Sequence, residues 1–201
     1  MKREFTSRTA VFAAFTAFAL LSLTVGAGAF QGDKKVRLLD DCEPTTFNAA
    51  IGPGTCIGNG HTTFLEFIEE LEETQDVHKW RNQPSQMHLN VGRPLLIENR
   101  GGEVHTFTPV AEFGGGLVPD LNVLSGNPVV IPECSPANAG SIDFLPAGAV
   151  VPGPTAGTSG LPVGITRFQC CIHPWMRTVV EVADHAAPPE QAKSNSAHAH
   201  H

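Results

Sequence analysis

The stretch FQCCIHPWMR, Phe168 to Arg177, gathers two cysteines, a histidine, a tryptophan and a methionine in a chain that has three Met, two Trp and no Tyr. A thiolate from Cys170, a neutral imidazole from His173 and a thioether from Met176 are soft to borderline metal donors. Two His and one Cys in a trigonal plane with a long axial Met form the ligand set of a blue-copper electron-transfer centre, so the stretch is one histidine short. His61, His78, His88, His105 and His185 could supply it. His105 is the best placed: in ENRGGEVHTF a strand is expected to end at Asn99, a Gly-Gly turn follows, and the next strand begins with the histidine. His61 and His78 flank an expected helix, and His88 has no companion donor nearby, so surface roles suit them better.

The elements that must position these residues are mostly short strands. From residue 77 the segments VHKWRN, MHLNV, PLLIEN, HTFTPV, PVVIP, ITRFQC and TVVEV are strand-like, separated by turns, with no alternation of strand and helix. This pattern predicts a two-sheet antiparallel β-sandwich, an all-β fold. One amphipathic helix precedes it: in TTFLEFIEELEET the residues Phe64, Phe67, Ile68 and Leu71 share a face, and Thr63 with Glu66 makes a capping box. The acidic side chains of that segment are expected on its solvated face. The run Leu145–Gly164 is too rich in Gly and Pro for a central strand and is expected to be a long surface loop.

The N-terminus carries Lys2, Arg3 and Arg8, then the apolar run Ala10–Val25, then Ala27-Gly28-Ala29, the pattern of a cleaved signal peptide over residues 1–29. The expectation is an exported protein, periplasmic or extracellular, with no membrane span after cleavage. Without those first residues 10 basic and 19 acidic side chains remain, a net charge of −9, which disfavours nucleic acid and anionic membranes as partners and admits a cationic protein. Five cysteines allow two disulfides and leave one sulfur over. The turn IGPGTC places Cys56 to pair with Cys42, a closure that contributes about 3 kcal/mol by chain entropy. The expected organisation is a signal peptide (1–29), an N-terminal extension with disulfide and helix (30–77), the sandwich (78–184) and a disordered, His-containing tail (185–201).

CCIHPWMRTVVEV resembles the C-terminal copper loop of the cupredoxins, most closely the amicyanin-like or plastocyanin-like branch, with its Cys-x2-His-Pro-aromatic-Met-Arg pattern before a final Val-rich strand. VGRPLLIENRGGEVHTF is similar to the upstream block of that family, in which Asn-x5-His supplies the first histidine. The resemblance covers residues 78 to 183. It implies one mononuclear type 1 copper per chain, held by His105, Cys170, His173 and Met176. It also implies an electron port at a surface-lying His173, with Pro174 and Trp175 in the contact patch. On this matching, Cys171 points to the opposite face of the strand from Cys170 and is free to pair with Cys134. Thr106 stands where many relatives have an Asn that ties the two ligand loops together, and residues 30–77 have no counterpart in the minimal fold.

The function this implies is an electron carrier without catalytic turnover of its own, exchanging single electrons with a redox protein donor and acceptor and expected to be monomeric. A copper carrier, storage or delivery protein is the alternative, with His198, His200 and His201 of the tail as Cu(II) donors. A multicopper enzyme would need more histidines on ordered strands, and no Ser/His/Asp set or phosphate-binding glycine loop is present in the required context.

Overall fold

The computed structural model describes residues 34–153 and 160–184. The expected signal peptide, the expected tail and His185 lie outside the described residues. Ten strands and three α-helices follow in chain order: β1 (Lys34–Leu39), α1 (Pro44–Ala50), α2 (Phe64–Thr74), β2 (Arg81–Gln83), β3 (Gln86–Asn90), β4 (Leu95–Asn99), β5 (His105–Thr106), β6 (Thr108–Val110), α3 (Pro119–Leu124), β7 (Phe144–Leu145), β8 (Val150–Pro152), β9 (Gly164–Gln169) and β10 (Arg177–Ala183). One sheet has the order β2-β1-β4-β8 and a second the order β3-β10-β9-β6, while β5 pairs with β7 alone. The expected sandwich of two sheets is present. Its pairing is mostly antiparallel, with β1–β4 and β10–β3 as the two parallel pairs.

The core forms where strand alternation turns apolar side chains inward. Leu95 and Ile97 of β4 are buried, as are Val180 and Val182 of β10, together with Met87, Leu89 and Phe168. Residues 34–39, placed by composition in an extension ahead of the sandwich, instead form an inner strand between β2 and β4. Only Val36 and Leu38 of KKVRLL turn inward, and the three basic residues face outward, which leaves too short an apolar signal to distinguish from loop. The expected strand PVVIP is not formed. Val130 makes one isolated bridge to Gly115, and Pro132–Cys134 is a 3₁₀ turn, since Pro128 and Pro132 remove two ladder donors. Within the run expected to be a surface loop, Val150–Pro152 adds to β4 as an edge strand, where a proline costs no ladder bond.

Two further helices join the expected one. α2 has its capping box, with Thr63 and Glu66 bonded reciprocally, and buries Phe67 and Leu71. α1 starts at Pro44 behind the Glu43 side chain, which accepts hydrogen bonds from the Thr45 and Thr46 N–H groups. The Cys42–Cys56 disulfide encloses α1, and Phe47 packs from it against Phe64, Phe67 and Trp80 at centroid distances of 5.4, 5.5 and 5.7 Å. These helices therefore form a lobe on the sandwich rather than a free extension.

The bonds from Thr46 and Thr45 hold the Glu43 carboxyl down to about 2 from an ordinary 4.5. A depressed pKa contributes stability that is present above 4.5 and lost as pH falls through about 2. Acidification through that window is expected to lower the protection of the Thr45 and Thr46 amides relative to their intrinsic exchange rate at each pH, and Glu43→Ala to leave them weakly protected at every pH. Equal exchange in both proteins at neutral pH would contradict this.

Candidate metal centre

Two chain segments meet at one end of the sandwich. β5 contributes His105, Cys170 follows directly on β9, and His173 and Met176 lie in the turn that leads into β10. The turn is closed by its own backbone: the Met176 N–H donates to the His173 carbonyl at 2.9 Å and the Cys170 N–H to the Met176 carbonyl at 3.0 Å. Arg177 fixes its outer side, with Nε donating to the Pro174 carbonyl at 2.7 Å. His105, Cys170 and Met176 are fully buried.

One donor atom from each of His105, Cys170 and His173 lies within 4.8 Å of the others. The imidazoles present Nδ1 to the sulfur, at 3.8 Å for His105 and 3.9 Å for His173. Cys170 is the free cysteine of the described chain, Cys134 and Cys171 being bonded to each other. Thr106 ties the two ligand-bearing segments together. Its N–H points at Cys170 Sγ, at 3.4 Å, and its hydroxyl accepts from the Cys171 N–H at 2.7 Å. His61, His78 and His88 are exposed and lie beside Asp41, Glu70 and Glu181 instead.

Among solved structures, a purple cupredoxin from Nitrosopumilus maritimus is similar over 75% of this chain and 100% of its own, at 12% identity and a TM-score of 0.39. The plastocyanin of Dryopteris crassirhizoma is similar over 74% of this chain and 99% of its own, at 14% identity and a TM-score of 0.34. A reduced amicyanin is similar over 54% of this chain and 78% of its own, at 18% identity and a TM-score of 0.27. The chain resembles cupredoxins. No protein-family model and no curated protein matches it. What argues for a metal centre here is the donor set: two imidazole nitrogens and a thiol sulfur converging in a dry site, a fit to a soft or borderline ion.

Each imidazole of this site has a buried carboxylate behind it. Asp40, just after β1, receives the far nitrogen of His105: Nε2 lies 2.8 Å from Oδ2, and the two side chains are 0% and 1% exposed. The same carboxylate accepts from the Gly102 N–H at 2.9 Å and the Glu103 N–H at 3.0 Å. Such an arrangement fixes the tautomer and the ring plane and makes the facing nitrogen a better donor. Gly101 and Gly102 permit it by close approach. A Cβ on Gly101 would fall on the Asp40 carboxylate, and one on Gly102 would stand 2.6 Å from the Gly58 nitrogen and 2.8 Å from Cys42 Sγ. Glu103 is placed behind His173, with Oε2 at 3.6 Å from Nε2, and accepts from Trp80 Nε1 at 2.5 Å.

In the metal-free site these groups charge one another. Burial pushes the Cys170 thiol up, but His105 and His173 outweigh it and hold it well below its ordinary value. Burial lowers His105, yet its bonds to Asp40 and Cys170 carry it up to about 10. Burial raises Asp40, and the hydrogen bond and charge of His105 bring it down to about 2. Burial dominates at Glu103 and leaves it raised. A thiolate ready to bind a cation is the result.

The expectation of a surface port at His173 is corrected by burial. His173 is 3% exposed, Pro174 is buried, and Trp175 is half-buried. Phe67 of α2 lies edge-on to the His173 ring at 6.3 Å, and Trp175 at 5.5 Å. The lobe of α1 and α2 thus covers the imidazole. Asp40, Glu103 and Trp80 are the site residues that sequence reasoning misses. Nothing in LLDDCEP separates Asp40 from a loop acid, and its partner is 65 positions away.

Proposed function

We propose that this chain is an exported, mononuclear type 1 copper protein that carries single electrons between a donor and an acceptor protein. The observation that carries the reading is the buried convergence of His105 Nδ1, Cys170 Sγ and His173 Nδ1. Met176, whose backbone closes the same turn, is the fourth ligand in the proposal. Copper bound there supplies one-electron chemistry between Cu(I) and Cu(II). The chain's own part is to hold the donors still: Asp40 orients His105, Thr106 joins the two segments, and the Met176-to-His173 and Cys170-to-Met176 hydrogen bonds fix the turn. A site so held changes little with oxidation state, which favours electron exchange over catalysis of a bond-breaking reaction.

Export is supported by the N-terminal sequence and by the two disulfides. Among the described residues no helix is long and apolar enough to cross a membrane. The acidic surface suits a cationic redox partner, and the proposed carrier is a monomer.

An electron carrier keeps its metal in both states, whereas a delivery protein releases it in one. The test is to load one copper per chain and cycle it between oxidants and reductants in the presence of Cu(I) and Cu(II) chelators. Retention of the metal through repeated cycles is expected. Rapid loss on reduction would overturn the carrier reading in favour of copper delivery.

A further inference from the structure

Between α1, α2 and α3 lies a groove of about 330 Å³ whose wall includes His173. Phe47, Phe64, Phe67 and Ile68 line it from the first two helices, and Leu121 and Leu124 from the third. Its polar groups include the Glu103 carboxylate and the His173 imidazole, while Asp120 also lines it and no lysine or arginine does. Anions are therefore disfavoured, and the volume is at the small end of ligand sites, about 300–1,000 Å³, which suits a molecule of one or two rings.

The two groups beside His173 specify the polar end of the occupant. When Nδ1, which faces Cys170, holds the metal, the neutral His173 ring keeps its proton on Nε2. That N–H is 3.6 Å from Glu103 Oε2, beyond a good hydrogen bond, and the acceptor already takes the Trp80 N–H. Among the described residues only Trp80 donates a side-chain hydrogen bond to the Glu103 carboxylate. A donor and an acceptor this close are both satisfied by one hydroxyl, which accepts from Nε2 and donates to the carboxylate. The remaining walls are aromatic and aliphatic.

We propose that this groove binds an uncharged phenol, of the hydroquinone class, with its hydroxyl between Glu103 and His173 and its ring among Phe64, Phe67 and Leu121. The inference deepens the electron-carrier reading and rests on it for its purpose: a small organic donor would sit in hydrogen-bond contact with a ligand of the copper. The reaction balances as one hydroquinone and two Cu(II) chains giving one quinone, two Cu(I) chains and two protons released to water. Covering of His173 by the α1–α2 lobe then selects a small molecule at this edge of the site.

The test uses the full, metal-free protein and follows its amide NMR signals during titration with hydroquinone and, separately, with the dimethyl ether of hydroquinone. Saturable shifts confined to α2, α3 and the Ile172–His173 segment are expected, with the ether binding about tenfold more weakly because it cannot donate to Glu103. Leu121→Trp, at the groove wall and away from the metal donors, is expected to weaken hydroquinone by a similar factor. The wild-type comparison of the two probes decides the matter even if that variant fails to fold. Absence of saturable shifts in these segments, or equal affinity for both probes, would overturn the proposal. Because no copper is present, a negative result leaves the copper reading standing. Conversely, binding by a chain that forms no copper–thiolate centre would sink that reading and leave the phenol site.

Discussion

Replacing Asp40 with alanine is expected to destabilise the metal-free protein by about 3–5 kcal/mol, the usual cost of removing one partner of a buried ion pair. The carboxylate is 1% exposed and meets His105 Nε2 at 2.8 Å while accepting from three backbone N–H groups. Alanine would strand all four donors, and the loss of an outer partner to a ligating imidazole is expected to weaken copper binding about 10- to 100-fold. Asp40→Asn separates charge from contact. Its amide oxygen, in the place of Oδ1, still accepts from the Gly102 and Cys42 N–H groups, but its NH₂ group stands where Oδ2 meets the donors of His105 and Glu103. Removal of a negative charge beside the site destabilises the higher oxidation state, so the reduction potential of copper-loaded D40N is expected to rise. Chemical unfolding of D40A and voltammetry of D40N check the two parts. An unchanged potential would mean that Asp40 merely fills space.

Phe67→Ala is the second large effect. Phe67 is 2% exposed and stands at the centre of the lobe, with ring contacts to Phe47, Phe64, Trp80, Trp175 and His173. Truncating a buried phenylalanine costs about 3–5 kcal/mol, part of it from the cavity left behind. Beyond stability, the change removes the ring that covers His173. Faster reduction of the copper-loaded variant by bulky outer-sphere reagents is expected, with little change in its visible spectrum, because no proposed ligand is replaced. Denaturant titration measures the first effect and stopped-flow absorbance the second. A loss of the spectrum with stability unaltered would show that Phe67 acts on the ligands and not as cover.

Local spacing made half of the site legible. Cys170, His173 and Met176 fall within one turn, and the Asn-x5-His block with its Gly-Gly turn flags His105, so the donors could be named without coordinates. α2 was equally plain, since Phe64, Phe67, Ile68 and Leu71 repeat at helical spacing behind a capping box. The carboxylates were not, because their meaning comes from contacts across the fold: Asp40 to His105 over 65 positions and Trp80 to Glu103 over 23. α1 and α3 are short helices started by prolines, with too few apolar residues to show a period. β1 hides its two inward residues among three cations. Composition sets these helices apart as an extension, so the burial of His173 beneath them is not legible in the sequence.

The central claim is that Cys170 binds copper as a thiolate together with two histidines. The measurement that tests it most directly is the visible absorption and electron paramagnetic resonance of Cu(II)-loaded protein beside Cys170→Ser. An intense sulfur-to-copper charge-transfer band that bleaches reversibly on reduction, accompanied by the narrow copper hyperfine splitting of a thiolate-bound site, is predicted for the first and neither signal for the second. A colourless protein, or a weak copper spectrum that is the same in both, would contradict the account.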